Sequence, residues 1–231
     1  MTARLIKVVP YDSRWPKIFD SEKKLLETVL TEIHHIGSTS VPGLSAKPKI
    51  DIIAVANELN RSITDLEKVG YEYKGEWNIP LQGGFAKRGD IDVNLHVFFE
   101  PDHPEIELNL RFRDYLKAHP DVRDEYAALK HEILKDESSQ KEKSGEFPLY
   151  TIRKRDFIDG IIRAMGYDRL RVLKSITAKE KRISEDFVLY RGVDIIGYAS
   201  VFNGAITKYQ APDEESTEYL LEVMKKWMNQ R

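Results

Sequence analysis

The chain has 231 residues, and 36 Lys plus Arg against 38 Asp plus Glu give a formal charge of −2, which argues against a general polyanion binder. Hydrophobic residues at 41% and charged residues at 32% supply both a packed core and a solvated surface, which excludes collagen, coiled coil and full disorder. At this length one large domain, or a medium domain with an appendage, is expected.

The absence of cysteine removes disulfides, thiolate metal sites and cysteine nucleophiles. No apolar run approaches the roughly 18 residues needed to cross a bilayer, and the start lacks a basic-then-apolar signal layout. A cytoplasmic protein without a membrane partner is therefore expected.

Residues 6–9 form a short β-like run that Pro10 ends. From Trp15, with Pro16 in the first turn, Ile18, Glu22, Leu25, Leu26, Val29, Leu30 and Ile33 recur mostly three and four apart, the spacing of an amphipathic helix. A strand is predicted over 33–36. Gly37-Ser38-Thr39-Ser40-Val41-Pro42-Gly43 is a loop of small and turn-forming residues. Residues 50–56 read as a strand buried on both faces, with Asp51 as its single acid. Ile63, Leu66 and Val69 mark a short helix that Gly70 ends, 71–73 begins another strand, and Gly83-Gly84 marks a turn. Residues 85–87 and 91–99 pair around Arg88-Gly89-Asp90. In the second of these strands Asp92, Asn94 and His96 alternate with Val93, Leu95 and Val97, so the polar side chains share one face. That face is not ordinary core.

Two helices in series follow, one from Pro104 through Leu116 and one from Pro120 through Ile133. Residues 135–146 are a polar connection. A further helix over 147–165 turns Phe157, Ile158, Ile161 and Ile162 inward. The main domain spans 1–166. In 167–231, strands over 187–190 and 194–202 form a hairpin around Arg191-Gly192, and Tyr219, Leu220, Val223, Met224 and Trp227 mark a last helix. About 65 residues make a marginal independent domain, so this part is expected to lean on the first.

One constellation points to chemistry. Small residues after a strand let backbone amides approach phosphate oxygens, and the Ser38 hydroxyl adds a donor beside Gly37. Asp51 on the next strand then offers a ligand for a divalent cation bridging those phosphates, and Asp92 a second from a neighbouring strand. Hard oxygen ligands with phosphate suit Mg2+. Each residue also has a plainer reading. Asp51 can be a buried acid paired with Lys47 or Lys49, and Asp92 and His96 can be the solvated face of an edge strand. Arg113 can simply pair with Asp114. Lys154, one turn from Tyr150, either reaches a phosphate or covers surface. His34 and His35 point to opposite faces and read as packing residues. Lysines at 141–143 lack the interleaved aromatics of a nucleic-acid site.

The blocks His35-Ile36-Gly37-Ser38-Thr39-Ser40-Val41-Pro42-Gly43-Leu44, Ala46-Lys47-Pro48, Ile50-Asp51-Ile52, Leu95-His96-Val97 and Phe112-Arg113-Asp114-Tyr115-Leu116 closely resemble the GrpB-like family of predicted nucleotidyltransferases. Tyr150 and Lys154 match too, and the resemblance runs from about residue 8 to 165. It implies an α/β (α+β) nucleotidyltransferase-like mixed sheet flanked by helices, here followed by a β-hairpin and helix appendage. It also implies transfer of a nucleoside monophosphate from a nucleoside triphosphate to an unknown acceptor. On that reading Gly37, Ser38, Lys47, Arg113 and Lys154 hold the nucleotide, Asp51 and Asp92 carry Mg2+, and His96 assists as ligand or by orienting the acceptor. One departure bears on activity. Active nucleotidyltransferases show two acids one residue apart after the Gly-Ser turn, whereas Asp51 is followed by Ile52 and Ile53. A non-catalytic module that keeps the cleft for a nucleotide, a metabolite or a folding partner is the alternative. The stretch 187–199 resembles the central hairpin of the Gcn5-related acetyltransferases. Its pyrophosphate-binding turn is missing, so acetyl transfer is not expected.

Overall fold

The computed structural model describes residues 4–142, 148–175 and 184–230. Strand β1 (Arg4–Leu5) precedes helix α1 (Trp15–Leu26), β2 (Thr31–Ile36), β3 (Lys49–Val55), α2 (Leu59–Lys68), β4 (Glu72–Gly75), β5 (Gln82–Lys87) and β6 (Asp92–Phe98). The last five strands form one mixed sheet in the order β2-β3-β6-β5-β4. Within it β3 and β6 run parallel, while the other neighbours are antiparallel.

Alternation decides which residues go where. Ile50, Ile52 and Ala54 of β3 and Val93, Leu95 and Val97 of β6 bury against Trp15, Leu26 and Leu66 from the two helices, forming the main core. The facing set therefore points the other way. It includes Asp51, Asn94 and His96, joined by Ile53 and Phe98 that pack with Ile106.

Gly83 and Gly84, read from sequence as a turn, lie inside β5. A Cβ on Gly84 would stand 3.1 Å from the Gly75 carbonyl oxygen, so the glycine reports close passage of two strands and not a reversal. The expected β5–β6 pair is present, with Lys87 opposite Val93.

Helices α3 (Pro104–Ala118) and α4 (Pro120–Ile133) each start on a proline, where a missing N–H costs nothing. Strand β7 (Lys141–Glu142) pairs with β1. The helix expected over 147–165 is two helices, α5 (Leu149–Ile152) and α6 (Arg155–Ala164), and Phe147 lies outside the described residues. Tyr150 buries with Ile6 and Ile133, whereas Ile161 and Ile162 bury against Val41, Leu44 and Leu108. The break at Arg153 and Lys154 lets one segment serve both clusters.

Beyond it the expected hairpin appears as β9 (Ser184–Arg191) and β10 (Asp194–Phe202), extended by two strands that sequence reading missed. These are β8 (Leu170–Lys174) and β11 (Ala205–Gln210), and the order is β11-β10-β9-β8. Helix α7 (Glu214–Asn229) starts at Asp213, whose carboxylate accepts from the Ser216 N–H at 2.8 Å. It covers one face of this sheet through Leu220, Met224 and Trp227 on Val172, Phe187, Leu189, Ala199 and Val201.

The smaller sheet docks on the larger unit through specific bonds. Leu81 inserts into its core. The Tyr167 hydroxyl donates to the Pro104 carbonyl at 2.7 Å, and Arg171 pairs with Glu105 at 2.7 Å with both side chains buried. Among the described residues no helix is long and apolar enough to cross a membrane.

Candidate functional site

The site begins where β2 turns into β3. Gly37 has φ +69°, and a Cβ there would lie 2.8 Å from Asp51 Oδ2, so the turn passes directly over that carboxylate. Hydroxyls brace the loop that follows. Ser40 Oγ donates to the Gly37 carbonyl at 2.6 Å, and Thr39 Oγ1 donates to the Lys49 carbonyl at 3.1 Å. His35 stacks on Phe19 with ring centroids 4.8 Å apart, and burial lowers its pKa to about 4.

Strand register sets the next contacts. Asp51 lies opposite Asn94, Lys49 opposite Asp92 and Ile53 opposite His96. Asn94 Nδ2 donates to Asp51 Oδ1 at 3.0 Å, so the immediate neighbour of the Asp51 carboxylate is an amide. Asp92 sits one side-chain repeat away on the same face, 5% exposed, with Arg88 Nη1 at 3.1 Å. Ile53 stands where the resemblance to nucleotidyltransferases would put a second acid. It is buried in the cluster formed with Ile36, Val55, Phe98 and Ile106, which explains why the position is apolar. Among the described residues no group of three or more His, Asp or Glu is placed to hold a metal ion.

His96 Nδ1 lies 2.7 Å from Gln82 Nε2. Burial holds its pKa below the usual imidazole value, with the Asp51 charge opposing that shift. Arg113 grips Asp114 at 2.7 and 3.0 Å and donates to the His35 carbonyl at 3.1 Å. Lys47 stands over the Tyr150 ring, 5.7 Å from its centroid.

Sequence reading missed the most unusual cation. Lys130 on α4 is 1% exposed, and its Nζ donates to Ser38 Oγ at 3.2 Å and to the Ser45 carbonyl. The ammonium also lies 4.5 Å from the Tyr126 ring centroid. Burial, then the nearby Lys154 charge, lower its pKa to about 7. Lys154 itself lies over the Tyr150 ring at 4.6 Å. The spacing Tyr126, Lys130, Ile133 was the available signal, since it puts the lysine on the inward stripe of α4.

A cleft of about 680 Å³ joins these features. Of the residues expected from sequence, Gly37, Ser38, Asp51 and Lys154 line it together, and Asp92, His96, Lys47 and Arg113 do not. Arg155 also lines it and lies 3.5 Å from Asp159. The opposite wall comes from the smaller sheet, including Leu173, Val188 and Tyr190. The polar end thus combines a hydroxyl, a carboxylate and cationic side chains, a set that can grip anionic oxygens and meet a cation they carry.

Residues 5–164 match the sequence profile of the GrpB protein family. A UPF0157 protein of Halalkalibacterium halodurans is 43% identical over 58% of this chain and 72% of its own length. The UPF0157 protein YqkA of Bacillus subtilis is 36% identical over 56% of this chain, and the match spans 40% of that relative. The glutamate-rich protein GrpB of Alkalihalophilus pseudofirmus is 32% identical over 68% of this chain and 94% of its own length. Among solved structures, the conserved protein GrpB from Enterococcus faecalis superposes with a TM-score of 0.56 at 28% identity, covering 69% of this chain and 96% of that one.

Proposed function

The chain belongs to the GrpB family, and from that premise and the cleft we propose that it binds a nucleoside triphosphate with the phosphates over the Gly37-Ser38 turn. The observation that carries this reading is Ser38, which lines the cleft together with Lys154 and is bound from behind by the buried Lys130 ammonium at 3.2 Å. The Lys154 charge adds to burial in lowering the Lys130 pKa, and a polyanion over Ser38 would relieve that repulsion. The small turn supports the same reading, because a side chain at Gly37 would fill the approach to Asp51.

Mg2+ enters this proposal as an ion carried by the phosphates. Such ions are commonly held by one or two carboxylates plus phosphate and water oxygens, and Asp51 supplies one carboxylate at the right end of the cleft. A resident two-ion centre fits less well. Asn94 stands beside Asp51 and Arg88 engages Asp92. Nucleotidyl transfer is the catalytic form of the same reading and would need a second acid brought to Asp51. The geometry therefore favours a nucleotidyltransferase-like site that binds over one that transfers.

The test is calorimetry of the full chain with each nucleoside triphosphate and with tripolyphosphate, with and without Mg2+. Binding that weakens at least about tenfold in Ser38→Ala or Lys154→Met is expected. No binding by any triphosphate at millimolar concentration overturns the proposal.

A further inference from the structure

The smaller sheet has one face covered by α7 and the other turned toward the cleft. Alternation on β8 and β9 sends Val172, Phe187 and Leu189 into the core under α7. It leaves Leu173, Val188 and Tyr190 on the cleft. Across from them stand Leu108 and Phe112 of α3 and Ile158 and Ile162 of α6. The two walls make an apolar slot leading away from Gly37, Ser38 and Asp51.

This wall is fixed and not merely tethered. Arg171 pairs with Glu105 at 2.7 Å, the Lys174 N–H donates to the Asn78 carbonyl at 2.8 Å, and Lys174 Nζ meets Glu76 at 3.0 Å. Trp227 Nε1 donates to the same Glu76 carboxylate at 2.8 Å. Arg155, on the α6 side, lines the cleft together with Tyr190. The slot is therefore formed before any ligand arrives. Leu173, Val188 and Tyr190 of this wall lie beyond residue 164, outside the family match.

We propose that this slot seats the nucleobase, which makes the C-terminal unit the specificity-determining half of the nucleotide site. The inference rests on the phosphate reading above for its polar end. Two features select a base over an acyl chain. Beside its apolar side chains the cleft is lined by Asn78 and Asn109 and by the charged Glu105, Arg171 and Lys174, and although Asn109 Nδ2 donates to the Glu105 carbonyl at 2.8 Å, such a polar lining suits a heteroaromatic edge better than a hydrocarbon. The slot and the polar end together enclose about 680 Å³, within the range that holds a small ligand of nucleotide size.

Calorimetry with wild-type protein and Val188→Trp tests it, using magnesium tripolyphosphate, the four magnesium nucleoside triphosphates and the free nucleosides. At least one nucleoside triphosphate should bind about tenfold or more tighter than tripolyphosphate. Val188→Trp should erase that margin while changing tripolyphosphate affinity less than about twofold. Equal affinity of wild type for tripolyphosphate and every nucleoside triphosphate overturns the slot, as does a margin that survives the substitution. Nucleoside binding that Val188→Trp abolishes, with no tripolyphosphate binding, upholds the slot and sinks the phosphate reading. Photo-crosslinking of wild-type protein with azido-purine triphosphates needs no variant. Label in peptides bearing Leu173 or Val188 supports the slot, and label confined to other peptides overturns it.

Discussion

Lys130 Nζ lies 3.2 Å from Ser38 Oγ, although 92 positions separate the two residues in the chain. The contact ties the fourth helix to the turn over Asp51 and places an almost fully buried amine directly behind Ser38, which lines the cleft. Burial is the main reason this amine loses its proton far below the usual lysine value, near pH 7, and Lys154 adds to the effect. Anionic oxygens arriving at Ser38 would act in the opposite direction.

Ligand binding should therefore take up a proton. At pH 8 the buried amine is mostly neutral in the free protein, and phosphate beside it restores the charge, so uptake should approach one proton per site. Calorimetry of tripolyphosphate binding in two buffers of different ionisation enthalpy measures this. The buffer dependence should fade below about pH 6 and vanish in Lys130→Met. A wild-type enthalpy that ignores the buffer at pH 8 contradicts the arrangement.

The same amine makes stability depend on pH. Its folded pKa, about 7, lies below the ordinary lysine value of 10.5, so between those limits the unfolded chain binds the proton more readily. Stability should rise with pH across that window, by up to about 1.4 kcal/mol per pH unit. Below the window both states carry the proton and the penalty is constant. Denaturant unfolding from pH 7 to 10 should show this rise in wild type and a flatter line in Lys130→Met.

Asp51 and Asp92 should separate cleanly. In Asp51→Asn the amide oxygen can still accept from Asn94 Nδ2, so the fold should hold while magnesium-dependent triphosphate affinity falls about tenfold or more. Asp92 is engaged by Arg88 and does not line the cleft, so Asp92→Asn should change that affinity less than about twofold. Comparable losses in both variants would restore Asp92 as a direct ligand.

Much of this was legible in the chain, and the misses share a cause. Period-two alternation identified the face that carries Asp51, Asn94 and His96, because side-chain direction in a strand is a local property. Register is not local. Nothing within 91–99 reveals that Asn94, and not Asp92, pairs with Asp51 across β3 and β6. Lys130 drew no attention because lysine is rarely buried, though its place between Tyr126 and Ile133 marked an inward position. Strand β11 escaped notice because it is an edge whose side chains are mostly exposed, leaving little alternation to detect. The wall of the cleft was missed for a related reason. It comes from β8 and β9 of a sheet whose docking depends on contacts such as Leu81 and Glu105, distant in sequence.

Gly37→Ala should damage fold and site together. A backbone at φ +69° and ψ −174° costs a non-glycine residue about 1–3 kcal/mol, and the new methyl group would push on a carboxylate oxygen 2.8 Å away. Unfolding should show a loss of at least that size, with triphosphate affinity reduced in the protein that remains folded. A variant as stable as wild type would mean that the turn relaxes away from Asp51.

The pair joining the two units offers the sharpest energetic test. Arg171 and Glu105 meet at 2.7 Å with 9% and 7% of their side chains exposed, and Arg171 also donates to the Gly192 carbonyl at 2.8 and 3.1 Å. Removing one partner leaves a buried charge without its counterpart, so Arg171→Met or Glu105→Leu alone should cost about 3–5 kcal/mol. Removing both leaves no orphaned charge, and the double variant should be more stable than the sum of the single losses implies. Denaturant unfolding of the four proteins gives the coupling directly. A strong coupling means that the smaller sheet is held by a matched ion pair whose loss should also loosen the Leu173 and Val188 wall. Additive single losses would show instead that Leu81 and the Glu76 contacts hold the wall, and the cleft should then keep its ligand affinity in the double variant.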